Sequence, residues 1–393
     1  MVESVRPGGI CAALGFTAAA AACGLKATGE PDVCIIKAEK RCAAAATFTT
    51  NAFRAAPILV TGENLAADKH LQAVVVNAGN ANAWTGEQGL LDARAMAELT
   101  ARATGVEPGD VAVASTGVIG RYMDMAKVEA GISEAAARLS EDGSSEAARA
   151  IMTTDTHPKE TSVFCDGFVV GGMAKGSGMI RPDMATMLAF ITTDAAVGPE
   201  VLAPALRSAV DRSFNRISID GCTSTNDMVL VMASGMSGKR PVGAEIEEPL
   251  HLVCSELARA IVADGEGATR FVTVRAHEAV SDGEAWRAAM AIAESPLLKT
   301  AVFGGDPNWG RVVQALGQAV KDADPSKVRV LIGGMLAAEA GAPSRAGAAE
   351  LAGAMTGREV AIDVFLGRGE GAAEVWTCDF SYDYVKINAE YST

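Results

Sequence analysis

KGSGMIRPDMATMLAFITTD, residues 175–194, joins a Gly-rich segment and a lysine to an Arg-Pro pair and then to a threonine at the head of an apolar run. One reading of it is an ordinary core strand following a loop. The other is chemical. Ala185 is small and precedes Thr186, which suits a peptide bond that cuts itself: the Thr186 hydroxyl attacks the Ala185 carbonyl in an N-to-O acyl shift. Hydrolysis of the ester frees Thr186 as a new N-terminus whose α-amine serves as its base. Ala-Thr pairs opening buried strands are common, so these residues alone leave both readings open. Strand and helix patterns alternate on both sides of Thr186, which makes the expected fold class mixed α/β. A cut there would divide the chain into 1–185 and 186–393. Neither segment reads as a self-sufficient domain, so the two would remain one folded body.

With 393 residues, 49% apolar and 21% charged, the chain is long enough for a large core in about two lobes. Aromatic residues are only 5%, so that core must rest on small and branched aliphatic side chains. Acidic residues outnumber basic ones, 48 to 34, and the net charge of -14 argues against a nucleic-acid surface. The eight cysteines form no C-x-x-C pair and read as reduced thiols of a cytoplasmic protein. The four histidines show no metal-ligand spacing, so no metal is expected. The Ala-rich run 9–25 mimics a signal peptide, but Glu3 sits in the would-be basic leader, and the run reads instead as a packed element. No run is long and apolar enough to span a bilayer.

Outward from the central stretch, 47–51 and 58–60 read as short strands around a polar turn, and 71–76 as a buried strand entering the Asn-rich segment 77–83. Those asparagines either make local turns or wall a polar site. A helix is expected over 91–103, stopped by Gly105. The strand 111–115 ends in Thr116-Gly117, a turn able to aim a backbone N–H and a hydroxyl at one spot, as an oxyanion hole requires. A helix-like region, 125–149, leads to Thr153, Thr154, Asp155 and Thr156, either a polar pocket or a capped helix end. Residues 161–173 read as a hairpin turning at Asp166-Gly167. Helices follow over 199–214 and 249–263, the latter with Pro249 in its first position. Glycines flanking Glu266 permit close backbone approach, and its carboxylate would suit an ammonium group. An Asp-Pro-Asn turn at 306–308 opens a helix, and strands recur at 328–332, 360–366 and 374–380. The last residues, 387–393, do not read as a loose tail.

Several of these stretches, GGMAKGSGMI, PDMATMLAFITTDA, STGVIG, MTTDT, NAGNANAWTG, DGEGATR, FGGDPNWGR and the terminal NAEYST, together resemble the ornithine acetyltransferases of arginine biosynthesis, also called glutamate N-acetyltransferases. The resemblance runs in one order from about Gly8 to Thr393. It implies that the chain cleaves itself between Ala185 and Thr186, that Thr186 is the nucleophile, and that Thr116 and Gly117 form the oxyanion hole. It further implies substrate contacts at Thr153, Lys175, Thr186, Glu266, Asn388 and Thr393, and a layered αββα body of two α and two β chains. The implied substrates are N2-acetylornithine and glutamate, with no cofactor; whether acetyl-CoA is a further donor the sequence leaves open. Family members generally carry Pro-Asn-Met-Ala-Thr where this chain has Asp183. An ionised Asp183 accepts but cannot donate a hydrogen bond, which bears on the rate of self-cleavage. Two other outcomes fit the same residues: a self-cleaving β-peptide aminopeptidase, and an uncleaved small-ligand binding protein on the same scaffold.

Overall fold

The computed structural model describes residues 2–6, 8–181 and 187–390. Asp183, Ala185, Thr186 and Thr393 lie outside that set. The described residues gather into two compact units, one running up to Asn215 and resuming over Cys222–Ile261, the other made of Arg216–Gly221 and the chain from Val262 onward. Each contains a sheet and helices, as the expected mixed α/β class requires.

The strands of the first unit are β1 (Val2–Arg6), β2 (Phe16–Ala21), β3 (Val33–Phe48), β4 (His70–Asn80), β5 (Val111–Val118), β6 (Lys159–Cys165), β7 (Phe168–Lys175) and β8 (Leu188–Thr193). After β9 (Ile217–Ser218), which belongs to the second unit, β10 (Met228–Ala233) completes the set. Among the described residues they order as β1-β6-β7-β8-β10-β3-β4-β5, with β2 pairing the first half of β3. β8 runs parallel to β10 with Leu188 opposite Met228, and antiparallel to β7 with Lys175 opposite Leu188. One row across three strands therefore joins Lys175 to the chain that emerges from Thr186.

The continuous apolar runs of these strands have a simple cause, which is that the sheet is buried on both faces. Ile36, Val74, Val76, Ala114, Phe190 and Leu230 share one apolar cluster. Their neighbours Ile35, Val75 and Val113 share another, with Met96 of the helix Gly86–Thr104 and Ile132 of the helix Met125–Ala137. Alanine makes much of this core, as the low aromatic content demands. The Ala-rich run near the start is indeed packed: it supplies β2, with Ala18, Ala19 and Ala20 all buried.

Three expectations need correction. Thr47 and Phe48 end β3, while Ile58–Val60 lie in the helix Ala56–Asp68 with Pro57 in its first turn. A run of three aliphatic residues cannot by itself tell strand from helix. The helix-like region 125–149 is two helices, Met125–Ala137 and Ser144–Ala150. They are split where Gly143 packs so closely on β2 that a Cβ would stand 1.8 Å from the Ala18 carbonyl oxygen. Finally, the helix Ala244–Ala263 starts ahead of Pro249, its first turn closed by the Ile246 and Glu247 amides on the Gly243 carbonyl. The β6–β7 hairpin does turn at Asp166-Gly167, where φ is +81°.

In the second unit, β11 (Phe271–Ala279), β12 (Arg329–Ile332), β13 (Met335–Glu339), β14 (Ala342–Pro343), β15 (Glu359–Phe365) and β16 (Gly371–Cys378) order as β14-β13-β12-β15-β11-β16-β9 among the described residues. β11 and β15 alternate buried with half-buried or exposed residues. Val272, Val274, Ile362 and Val364 pack with Ala285, Ala289 and Ile292 of the helix Asp282–Ala293 and Leu316 of the helix Trp309–Ala319.

Candidate active site

Lys175 ends β7, where antiparallel pairing with Leu188 of β8 fixes its backbone. Only 2% exposed, it donates from Nζ to the Thr153 hydroxyl at 2.7 Å and lies 3.4 Å from the Thr116 hydroxyl. A buried ammonium is costly unless paired, and one countercharge among the described residues is Asp155, whose Oδ2 is 3.9 Å away. Asp155 is itself saturated. Lys159 and the Gly176 amide each donate to Oδ1 at 2.7 Å, and the Thr153 amide donates to Oδ2 at 3.0 Å. Burial pushes the Asp155 carboxyl up, but the Lys175 and Lys159 ammoniums and the Gly176 amide overcome it and hold it well below the usual carboxylate range. The Asp155 carboxylate therefore serves a buried polar network and not a cap on the helix Ser144–Ala150.

Thr116 and Gly117 lie at the end of β5, in parallel register with Ala78 and Gly79 of β4. Gly117 has φ +127°, and a Cβ there would stand 2.4 Å from the Gly79 carbonyl carbon and 2.6 Å from the Asn80 nitrogen. Only glycine allows both this conformation and this approach. Gly117→Ala should therefore cost at least about 2 kcal/mol in a urea unfolding titration. An unchanged midpoint would contradict the close approach.

The asparagines of 77–83 serve that junction as internal braces. Asn77 donates to the Asn80 carbonyl at 2.8 Å and accepts from Ser115 at 2.6 Å, while Asn82 donates to the Gly89 carbonyl at 2.9 Å. From the loop before β10, Asn226 donates to the carbonyls of Ala81 at 2.6 Å and Ser115 at 2.9 Å. Asn80 donates to the Arg121 and Tyr122 carbonyls at 3.3 and 3.2 Å, so beyond local turns these asparagines tie the end of β4 to the segment around Thr116-Gly117.

Two further groups escaped notice in the sequence. Asp227 is fully buried and accepts the Met187 amide at 3.0 Å. Lys26 donates to the carbonyls of Pro31 at 2.8 Å and Ala150 at 2.9 Å. Burial pushes its ammonium down, partly offset by Asp32. Neither position carries a spacing signal, because Asp227 meets Met187, and Lys26 the Ala150 carbonyl, only across the fold.

In the second unit, Glu266 is buried and accepts from Asn388 Nδ2 at 2.8 Å. Its loop is locked in place. Gly267, at φ +67°, leaves no room for a Cβ beside the Tyr384 amide, and Asp379 accepts the Thr269 and Arg270 amides at 2.8 and 2.9 Å. The helix Tyr382–Glu390 carries Asn388, so the expected order holds over 387–390, while 391–393 lie outside the described residues. Asn308 caps the helix Trp309–Ala319 by accepting the Arg311 amide, so the Asp-Pro-Asn turn is structural. The structure thus brings Lys175, Thr116, Thr153 and Gly117 together in one unit and Glu266 with Asn388 in the other. No cluster of metal-ligating side chains occurs among the described residues, and no helix among them is long and apolar enough to cross a membrane.

Comparison with known proteins matches residues 17–393 to the model of the ArgJ family. The arginine biosynthesis bifunctional protein ArgJ of Symbiobacterium thermophilum is 47% identical over 98% of this chain and 99% of its own length. Among solved structures, the Bacillus halodurans arginine biosynthesis bifunctional protein is 38% identical, with a TM-score of 0.50, covering 51% of this chain and 98% of that one. The ornithine acetyltransferase of Mycobacterium tuberculosis complexed with ornithine is 40% identical, with a TM-score of 0.45, covering 46% of this chain and 98% of that one.

Proposed function

This chain belongs to the ArgJ family, and from that membership we propose that it moves the acetyl group of N2-acetylornithine to glutamate through an acetyl ester on Thr186. The observation that carries the proposal is the buried Lys175 ammonium, hydrogen-bonded to Thr153 beside Thr116-Gly117, in register with Leu188 on the strand that follows Thr186. Self-cleavage at Ala185/Thr186, leaving an α chain 1–185 and a β chain 186–393, frees the amine that the mechanism needs. A related support is that the Bacillus halodurans crystal chain, aligned over nearly its whole length, spans only about half of this one.

In the first half-reaction the Thr186 α-amine, with an ordinary pKa of about 7.7 to 8.0, takes the Oγ proton as Oγ attacks the acetyl carbonyl. Thr116 and the Gly117 amide stabilise the oxyanion, a donor pair of which each member is worth about 2.7 to 4 kcal/mol. The amide C–N bond breaks, ornithine departs with the proton, and the acetyl group stays on Oγ. The α-amine of glutamate then attacks the ester, the C–O bond breaks, and Oγ regains its proton. Lys175 holds a substrate carboxylate, while Glu266, steadied by Asn388, accepts the side-chain ammonium of ornithine. Thr153 and Thr393 complete the substrate contacts, and two α and two β chains make the assembly.

The test is the product. With acetylornithine and glutamate the enzyme should release ornithine and N-acetylglutamate in equal amounts. Release of free acetate in place of N-acetylglutamate would overturn the transferase reading in favour of a hydrolase. Replacing acetylornithine by acetyl-CoA in the same assay measures whether a thioester also serves as donor.

A further inference from the structure

Asp227 closes the polar loop 220–227 and leads directly into β10. The parallel pairing of Met228 with Leu188 sets it beside Met187, the residue that follows Thr186. Two hydrogen bonds clamp this point. The Met187 amide donates to Asp227 Oδ1 at 3.0 Å, and the Met228 amide donates to the Met187 carbonyl at 3.2 Å. The side chain is 1% exposed, and among the described residues its Oδ2 has no hydrogen-bond partner. Burial pushes its carboxyl well above the usual range. The Met187 amide, the Thr49 and Ser224 hydroxyls and the Lys175 charge pull the other way without prevailing.

We propose that Asp227 is the positioning residue for the nucleophile: its clamp on the Met187 amide fixes the peptide that follows Thr186, both for self-cleavage and for acetyl transfer. The inference rests on the reading of Thr186 as nucleophile. What the site requires from residue 227 is a hydrogen-bonding group of carboxyl shape and not a negative charge. A negative charge held on the Met187 amide, one residue along the chain from the Thr186 α-amine, would raise that amine's pKa and reduce the free base available at neutral pH. A neutral acid avoids this while keeping the acceptor that a buried amide needs.

The experiment uses the full chain, following cleavage by denaturing mass analysis and acetyl transfer by product formation. Asp227→Ala should slow cleavage about ten-fold or more and lower kcat of the cleaved fraction with little change in KM, as expected for an unmet buried amide. Asp227→Asn, which keeps an acceptor for Met187 and carries no charge, should restore both rates to within about three-fold of wild type, a rescue that a merely charged structural role would not give. Circular dichroism establishes that the variants are folded, and if Asp227→Ala is not, the similarly branched but apolar Asp227→Leu takes its place. Wild-type rates in the folded apolar variant would overturn the proposal, and so would an Asp227→Asn as slow as that variant. An uncut wild-type chain overturns the nucleophile reading and this one together, whereas a cut wild type with an equally fast apolar variant overturns this one alone.

Discussion

Thr186→Ala should give a single uncut chain with its acetyl transfer reduced by on the order of 10⁴-fold or more, as when the nucleophile of an interdependent catalytic unit is removed. One hydroxyl performs two attacks in this mechanism, the first on the Ala185 carbonyl and the second on the acetyl group. Removing it also leaves the α-amine locked in a peptide bond, so the base is never created. The two losses must therefore appear together. Thr186→Ser keeps a hydroxyl and should still cut itself and transfer acetyl groups, though more slowly. Denaturing electrophoresis and the product assay read both effects. A Thr186→Ala chain that transfers acetyl at the wild-type rate would remove the nucleophile from the account.

Lys175→Met should lower kcat/KM for acetylornithine by about 10² to 10³-fold, the range expected when one partner of a buried hydrogen-bonded charge pair is truncated. Methionine approximates the apolar stem and removes only the ammonium. Asp155 keeps Lys159, the Gly176 amide and the Thr153 amide, so its carboxylate stays satisfied and the strand end should survive. Arginine should not rescue the activity, because a planar guanidinium does not fit a point-charge site that is 2% exposed. Wild-type kinetics in folded Lys175→Met would contradict the assignment of Lys175 to substrate.

Local patterns were legible where a strand or helix announces itself within its own window. The run at 71–76 is β4, and the helices over 199–214 and 91–103 appear as Pro199–Asp211 and within Gly86–Thr104. β3 was hidden, because its middle, Lys37 to Arg41, is charged and the alanines after it have low strand propensity. Only its long-range pairing with β2, β4 and β10 makes it a strand. The same division holds at the site. Thr116-Gly117, Lys175 and Glu266 were legible because glycines next to polar side chains mark close approach, and the resemblance to a known family gave them roles. Asp155 stood in a run of hydroxyls that left pocket and helix cap equally open. Asp227 gave no signal, since its partner Met187 is forty positions away and meets it only through the parallel β8–β10 pair.

The central claim is that a freed Thr186 carries the acetyl group, and denaturing mass analysis of the wild-type protein mixed with acetylornithine alone tests it most directly. Two fragments should appear, meeting at Ala185/Thr186, with the mass of one acetyl group added to the fragment that begins at Thr186 and lost again when glutamate is supplied. An intact chain that still converts acetylornithine and glutamate to ornithine and N-acetylglutamate would contradict it.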